Sequence, residues 1–174
     1  MCLLRNATQS SFTMDLLLKS LYTKSEIDNV IRNTEDKVVV LRFGKAKDLV
    51  CMQQDDIVGN LYKSQILVSR MADIYIVDVD AVSSFAVIEF EVPLYTQYFD
   101  ISLIPATVFF FNATHIKIDC GRPDNTKWIG AFHTKQDFID VVETVYKGGL
   151  YGKYIVTCPL PQDRIPQYEL FYSS

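Results

Sequence analysis

The chain has 174 residues, 49% of them hydrophobic, and a formal net charge of −4. A domain of this length buries roughly two-thirds of its unfolded surface, so it needs neither metal nor disulfide to fold. The acidic balance argues against a nucleic-acid footprint, which normally shows as a basic face, and no apolar run of about 18 residues offers a membrane span.

The four cysteines, at positions 2, 51, 120 and 158, form no C-x-x-C pair and no Cys/His cluster. A secreted disulfide framework is denser and a zinc site needs closely spaced ligand pairs, so the expected compartment is reducing. The opening "MCLLRNATQSSF" carries too short an apolar segment for a signal peptide. The sequon Asn6-Ala7-Thr8 is therefore expected to go unread.

In chain order, "TKSEIDNVIR" begins with Thr23 and has Glu26 three places on, a capping box. Ile27, Val30 and Ile31 then fall at i, i+3, i+4, one buried helical face. "VVVLRFG" (38–44) reads as a buried strand. The polar segment after Cys51, with Ile57, Leu61 and Ile66, predicts a less regular helix weakened by Gly59. "DIYIVDVD" (73–80) predicts a second buried strand, and "LYTQYFDISLIP" (94–105) a short helix with a break before Pro105. "ATVFFFN" and "THIKIDCG" predict two strands joined by a tight Asn112-Ala113-Thr114 turn. "TKQDFIDVVETVYKGG" (134–149) is the clearest helix: Thr134 caps it, Phe138, Val141, Val142 and Val145 line one face, and Gly148-Gly149 stop it. The last residues carry Pro159, Pro161 and Pro166 among tyrosines and read as an extended tail with little regular structure.

Buried strands linked by helices imply parallel pairing, and the hairpin adds antiparallel strands, expected at the edge. The result is an α/β thioredoxin fold, a mixed central sheet with helices on both faces; likeness to that fold puts Pro105 at its cis-proline position.

Five stretches, "VLRFG" with D-x-x-C, "YTQYFDI", "IPATVFFFN", "TKQDFID" and "IPQYELFY", resemble the thioredoxin-like protein 4 family, and "DISLIPATVFFFN" with "TKQDFIDVVETVYKG" matches its 4B branch more closely than the founding U-snRNP subunit. The resemblance runs from about Met14 to the C-terminus. It implies nuclear pre-mRNA splicing and a link to cell-cycle progression through mitosis. The implied partners are spliceosomal proteins, notably a helical-repeat factor that bridges snRNPs, together with possible homodimerisation; no direct nucleic acid and no membrane are expected as partners. Two departures stand out: residues 1–13 precede the family's usual start, and an insert lies at about 82–91. The expected organisation is an atypical N-terminal extension (1–13), a thioredoxin-like domain (14–149) and a C-terminal tail (150–174) packed on the domain or on a partner. The pattern of "VIEFEV" (87–92) predicts an exposed loop or added edge segment.

Disulfide exchange needs an attacking thiolate and a second sulfur to resolve the mixed disulfide. Matched to the thioredoxin pattern, Cys51 holds the second, usually buried cysteine position, and Asp48 replaces the exposed nucleophile. Asp48 is better read as a helix N-cap, Cys51 as a small buried hydrophobe, and Pro105 as a turn residue, three positions of a degenerate redox motif. Asp78 and Asp80 share a strand end without a third ligand, and His115 and His133 stand alone as expected surface residues. No catalytic residue, metal or cofactor is assigned. Tyrosine is enriched at interfaces, so Tyr95, Tyr98, Tyr168, Phe171 and Tyr172 are candidate partner contacts, the alternative for some being a place in the core. The leading expectation is a non-catalytic interaction protein; the alternative is a single-cysteine redox sensor or thiol reductase using Cys51.

Overall fold

The computed structural model describes residues 18–64, 66–80 and 92–168. Seven strands and five helices follow in the order β1 (Lys19–Leu21), α1 (Lys24–Asn33), β2 (Val38–Gly44), α2 (Leu49–Ser64), α3 (Ile66–Met71), β3 (Ala72–Asp78), α4 (Val92–Tyr98), β4 (Ala106–Phe111), β5 (Thr114–Asp119), β6 (Trp128–Ile129), α5 (Lys135–Leu150) and β7 (Ile155–Thr157), before a 3-10 turn at Gln162–Arg164. The insert at 82–91 and residues 1–13 lie outside the described residues, as do Phe171 and Tyr172.

The helix starts read from the sequence have structural counterparts at Thr23 and Thr134, whereas Gly148 and Gly149 do not stop α5, which runs through them to Leu150. The Thr23 hydroxyl accepts from the Glu26 N–H at 3.2 Å, and the Glu26 carboxylate accepts from the Tyr22 and Thr23 N–H groups at 2.7 and 3.1 Å. Thr134 caps α5 by accepting from the Asp137 N–H at 3.1 Å. Such caps satisfy N–H groups that the first helical turn cannot pair internally.

The sheet runs β1-β3-β2-β4-β5-β7, with β6 paired to β4. β3 lies parallel to both β1 and β2, β4 lies antiparallel to β2 and β5, and β7 lies parallel to β5. Alternation along β2 divides the core. Val38 and Val40 face the side covered by α2, α3 and α5, with Val58, Val68, Phe138, Val141, Val142 and Val145. Val39, Leu41 and Phe43 face the side covered by α1 and α4, with Ile27, Val30, Ile31 and Phe99. This is a mixed sheet with helices on both faces, in the expected thioredoxin arrangement.

Two expectations are corrected. The β4–β5 hairpin is not at the edge, because β7 extends the sheet beyond β5. Where a tail with little regular structure was expected, Ile155–Thr157 forms that strand, and Val156, Leu160 and Ile165 are buried in the α5-side core. β1 has no counterpart in the sequence reading; three residues are too few to show a period.

Candidate functional site

The junction of β2 and α2 is where the fold family places thiol chemistry. Met52 N–H donates to the Asp48 carbonyl at 2.9 Å, opening the helix, and Cys51 N–H donates to Asp48 Oδ1 at 2.9 Å. Asp48 is thus the N-cap of α2, and donation from the Cys51 N–H holds its carboxyl below the usual carboxylate range. Cys51 is wholly buried. Burial, the largest influence, pushes its thiol up to about 11, and Asp48 adds to the shift. A thiol held there is protonated at neutral pH and therefore a poor nucleophile.

Gly44 brings the third position into the picture. A Cβ on Gly44 would stand 2.6 Å from Cys51 Sγ and 2.4 Å from Arg42 Nη1, so the strand end presses directly on the thiol. Phe43 pairs with Ala106, which sets Pro105 opposite Gly44 one register step further on. The Ile104–Pro105 peptide bond is cis. Asp48, Cys51 and Pro105 therefore converge on one strand end.

Beneath them lies a polar layer that sequence reasoning missed. Arg42, 4% exposed, donates through Nε to Asp55 Oδ1 at 2.7 Å and through Nη2 to Asp55 Oδ2. Burial raises the Asp55 pKa, with Arg42 acting against that rise. Gln54 Oε1 accepts from the Phe132 N–H at 2.9 Å, tying α2 to the loop before α5. A run of apolar β-branched residues conceals Arg42, because a strand buried on both faces shows no polar alternation.

Three apolar side chains are exposed beside the junction, among the exposed Lys45, Lys47 and Gln53. Leu49, Val50 and Met52 are 74%, 43% and 49% exposed. Anchoring α2 on a buried Cys51, with Gln54 and Val58 following on the inner face, puts these three outward; that signal was present in the sequence.

The proposed aromatic contacts divide. Tyr98 is 80% exposed. Tyr95 is not an exposed contact: its hydroxyl donates to Asp28, its ring packs in the α1-side core, and burial with that bond raises its pKa. Tyr168 is half-buried, its ring under the Arg122 guanidinium at 4.5 Å. His133 is exposed, whereas His115 is not a free surface residue. Its ring stands edge-on to Phe99 at 5.1 Å, and Nε2 lies 2.8 Å from the Thr126 carbonyl. Asp80 pairs with Lys45 at 2.9 Å and Asp78 Oδ1 accepts from the Asp80 N–H, a closed strand end. Among the described residues no group of three or more His, Cys, Asp or Glu is placed to hold a metal.

Comparison with known proteins agrees with this geometry. Residues 17–162 match the family described as Mitosis protein DIM1. Thioredoxin-like protein 4B of Mus musculus is 50% identical over 91% of this chain and 98% of its own length. Mitosis protein dim1 of Schizosaccharomyces pombe is 32% identical over 84% and 94% of the two chains, and spliceosomal protein DIB1 of Eremothecium gossypii 30% identical over 83% and 92%. Among solved structures, a thioredoxin from Halobacterium salinarum superposes with a TM-score of 0.54 at 16% identity, covering 75% of this chain and 92% of its own. At that identity the likeness concerns the fold alone. The chain belongs to the DIM1 mitosis protein family, within the thioredoxin fold.

Proposed function

We propose that this chain is a non-catalytic thioredoxin-fold interaction protein of nuclear pre-mRNA splicing, linked to cell-cycle progression. The observation that carries the reading is the state of the β2–α2 junction. Where thiol exchange needs an exposed nucleophile three residues before a resolving cysteine, a carboxylate caps the helix, and the remaining thiol is buried and pushed up to about 11. The relatives' names, spliceosomal protein DIB1 and mitosis protein dim1, supply the biological setting.

The contact surface we assign to this function is the first turn of α2, where Leu49, Val50 and Met52 stand exposed; Tyr98, exposed on α4 on the other side of the sheet, is a separate candidate contact. The partner class is a spliceosomal protein, the favoured one a helical-repeat factor bridging snRNPs, with a second copy of the chain as a further partner. Exposed apolar side chains suit a protein groove better than a phosphate backbone, which the net charge of −4 also opposes.

The test is affinity purification of the tagged chain from nuclear extract with mass spectrometry. Splicing proteins should be captured by the native chain and lost with the Leu49→Glu/Met52→Glu double variant at unchanged circular dichroism. In parallel, an insulin-reduction assay should show no turnover; turnover abolished by Cys51→Ala would replace this reading with the single-cysteine reductase.

A further inference from the structure

Cys120 and Cys158 are the two half-buried thiols of the described residues, and the sheet brings them side by side. β5 and β7 pair in parallel with Lys117, Ile118 and Asp119 opposite Ile155, Val156 and Thr157. The next step of that register sets Cys120 opposite Cys158. The ladder continues to it, because the Cys158 N–H donates to the Asp119 carbonyl at 2.8 Å. Side chains on a strand alternate, so both thiols share the face of Ile118 and Val156, and both pack against the α5-side core. Neighbouring strands lie about 4.8 Å apart. A disulfide spans Cα atoms about 4.4–6.8 Å apart, so backbone spacing already meets the requirement.

We propose that Cys120 and Cys158 are a reversible disulfide site, closed by exchange with a low-molecular-weight disulfide of the glutathione class, that fastens β7 and the C-terminal segment to the sheet.

The chemistry has a direction. The Cys158 pKa is lowered by its contact with the Cys120 thiol and by a hydrogen bond from the Leu160 backbone. Cys158 is therefore the attacking thiolate. It displaces one glutathione thiolate from glutathione disulfide, and the departing sulfur takes a proton from solvent. Cys120 then loses its proton and attacks the Cys158 sulfur of the mixed disulfide, releasing the second glutathione. Two protein thiols are oxidised and one small disulfide is reduced to two thiols.

The consequence lies just downstream. The chain leaving Cys158 buries Leu160 and Ile165, donates from Gln162 Nε2 to the Cys120 carbonyl at 3.3 Å, and pairs Arg164 with Asp137 at 2.9 Å. Arg122 donates to the Pro166 carbonyl, and Pro166 lies so close to Gly130 that a Cβ there would stand 2.7 Å away. All of these contacts are noncovalent, and a bridge at Cys158 would anchor the segment at its root.

The test incubates the full native chain with glutathione disulfide, traps free thiols, and reads intact mass and linked peptides. The expected product is about 2 Da lighter, linked Cys120 to Cys158, and reverted by dithiothreitol. Cys120→Ser should stall as a glutathione adduct on Cys158, and Cys158→Ser as an adduct on Cys120, neither variant forming the bridge. Amide exchange over 155–165 should slow in the oxidised chain. A persistent adduct in the native protein, a bridge through Cys2 or Cys51, or no oxidation at all would overturn the site. Unchanged exchange after bridging would overturn the fastening.

Discussion

Cys51, in the first turn of α2, and Cys158, just past the end of β7, are both free thiols, yet their surroundings push them in opposite directions. Cys51 sits under the strand end that the thioredoxin fold devotes to thiol exchange, and burial drives its thiol up to about 11. Cys158 sits at the sheet edge, half-buried, and contact with a second thiol and with the Leu160 backbone lowers its pKa. A thiol's neighbours, and not its place in a fold, decide its chemistry. The β2–α2 end of this molecule holds packing and capping groups, and the β5–β7 edge holds the groups that can respond to redox conditions.

The largest test of that contrast removes the edge. Truncation after Gly149 deletes β7 and the buried side chains of Val156, Leu160 and Ile165. At about 1.5–3 kcal/mol each, the loss is on the order of 6 kcal/mol, comparable with the whole stability of many domains. The expected outcome is loss of cooperative unfolding by circular dichroism. A truncated chain that melts cooperatively would make the edge an accessory.

The second test attacks the other end. Asp55→Ala leaves Arg42 buried without its carboxylate. Breaking a buried pair costs about 3–5 kcal/mol, and partial exposure of Asp55 places the expected loss near the lower figure. Denaturant midpoints at constant slope would measure it. A change well under 1 kcal/mol would mean that water reaches the guanidinium, and that the packed end is less closed than its burial implies.

These two regions were unequally legible in the sequence. The Thr23–Glu26 capping box, the strand at 38–44 and the face of α5 follow from local rules and are found as read, and the strand expected at 73–80 is found at Ala72–Asp78. Asp48 as a cap and Cys51 as a buried residue were legible too, since a motif position and a helix start coincide. β7 was not, because three residues bounded by Gly152 and Pro159 carry no period and only the partner strand makes them a strand. The Cys120–Cys158 pair was hidden for the same reason. Spacing rules seek cysteines close in sequence, whereas a parallel pairing across the whole of α5 brings these two together. His115 looked solitary because its partners, Phe99 and the Thr126 carbonyl, come from elements whose approach no local pattern encodes.

His115 gives the third test, on β5 but on the face opposite the thiols. Burial, the largest influence, lowers its pKa from the ordinary histidine value near 6.5. The folded state thus binds its proton less readily than the unfolded state does. Stability from this group is fully present above about pH 6.5 and is lost as the pH falls through the lower, folded value. The melting temperature should fall between pH 7 and pH 5 more steeply in the native chain than in His115→Asn. Equal slopes would assign the acid sensitivity to the carboxylates.

The smallest effect is the most discriminating for the thiol contrast. Asp48→Ala removes the cap of α2 and should lower the melting temperature modestly, because one N–H acceptor is lost at an exposed helix end. It also removes a carboxylate that pushes the Cys51 thiol upward. Burial, however, is the larger influence on that thiol, and the substitution leaves it in place. Cys51 in Asp48→Ala should therefore still react with iodoacetamide at neutral pH much more slowly than Cys158 in the same molecule, as read by peptide mass spectrometry over time. Were Cys51 to reach the rate of Cys158, the carboxylate and not the packing would be what silences it. The β2–α2 junction would then be a suppressed reactive site, and the division of labour between the two ends of the molecule would fail.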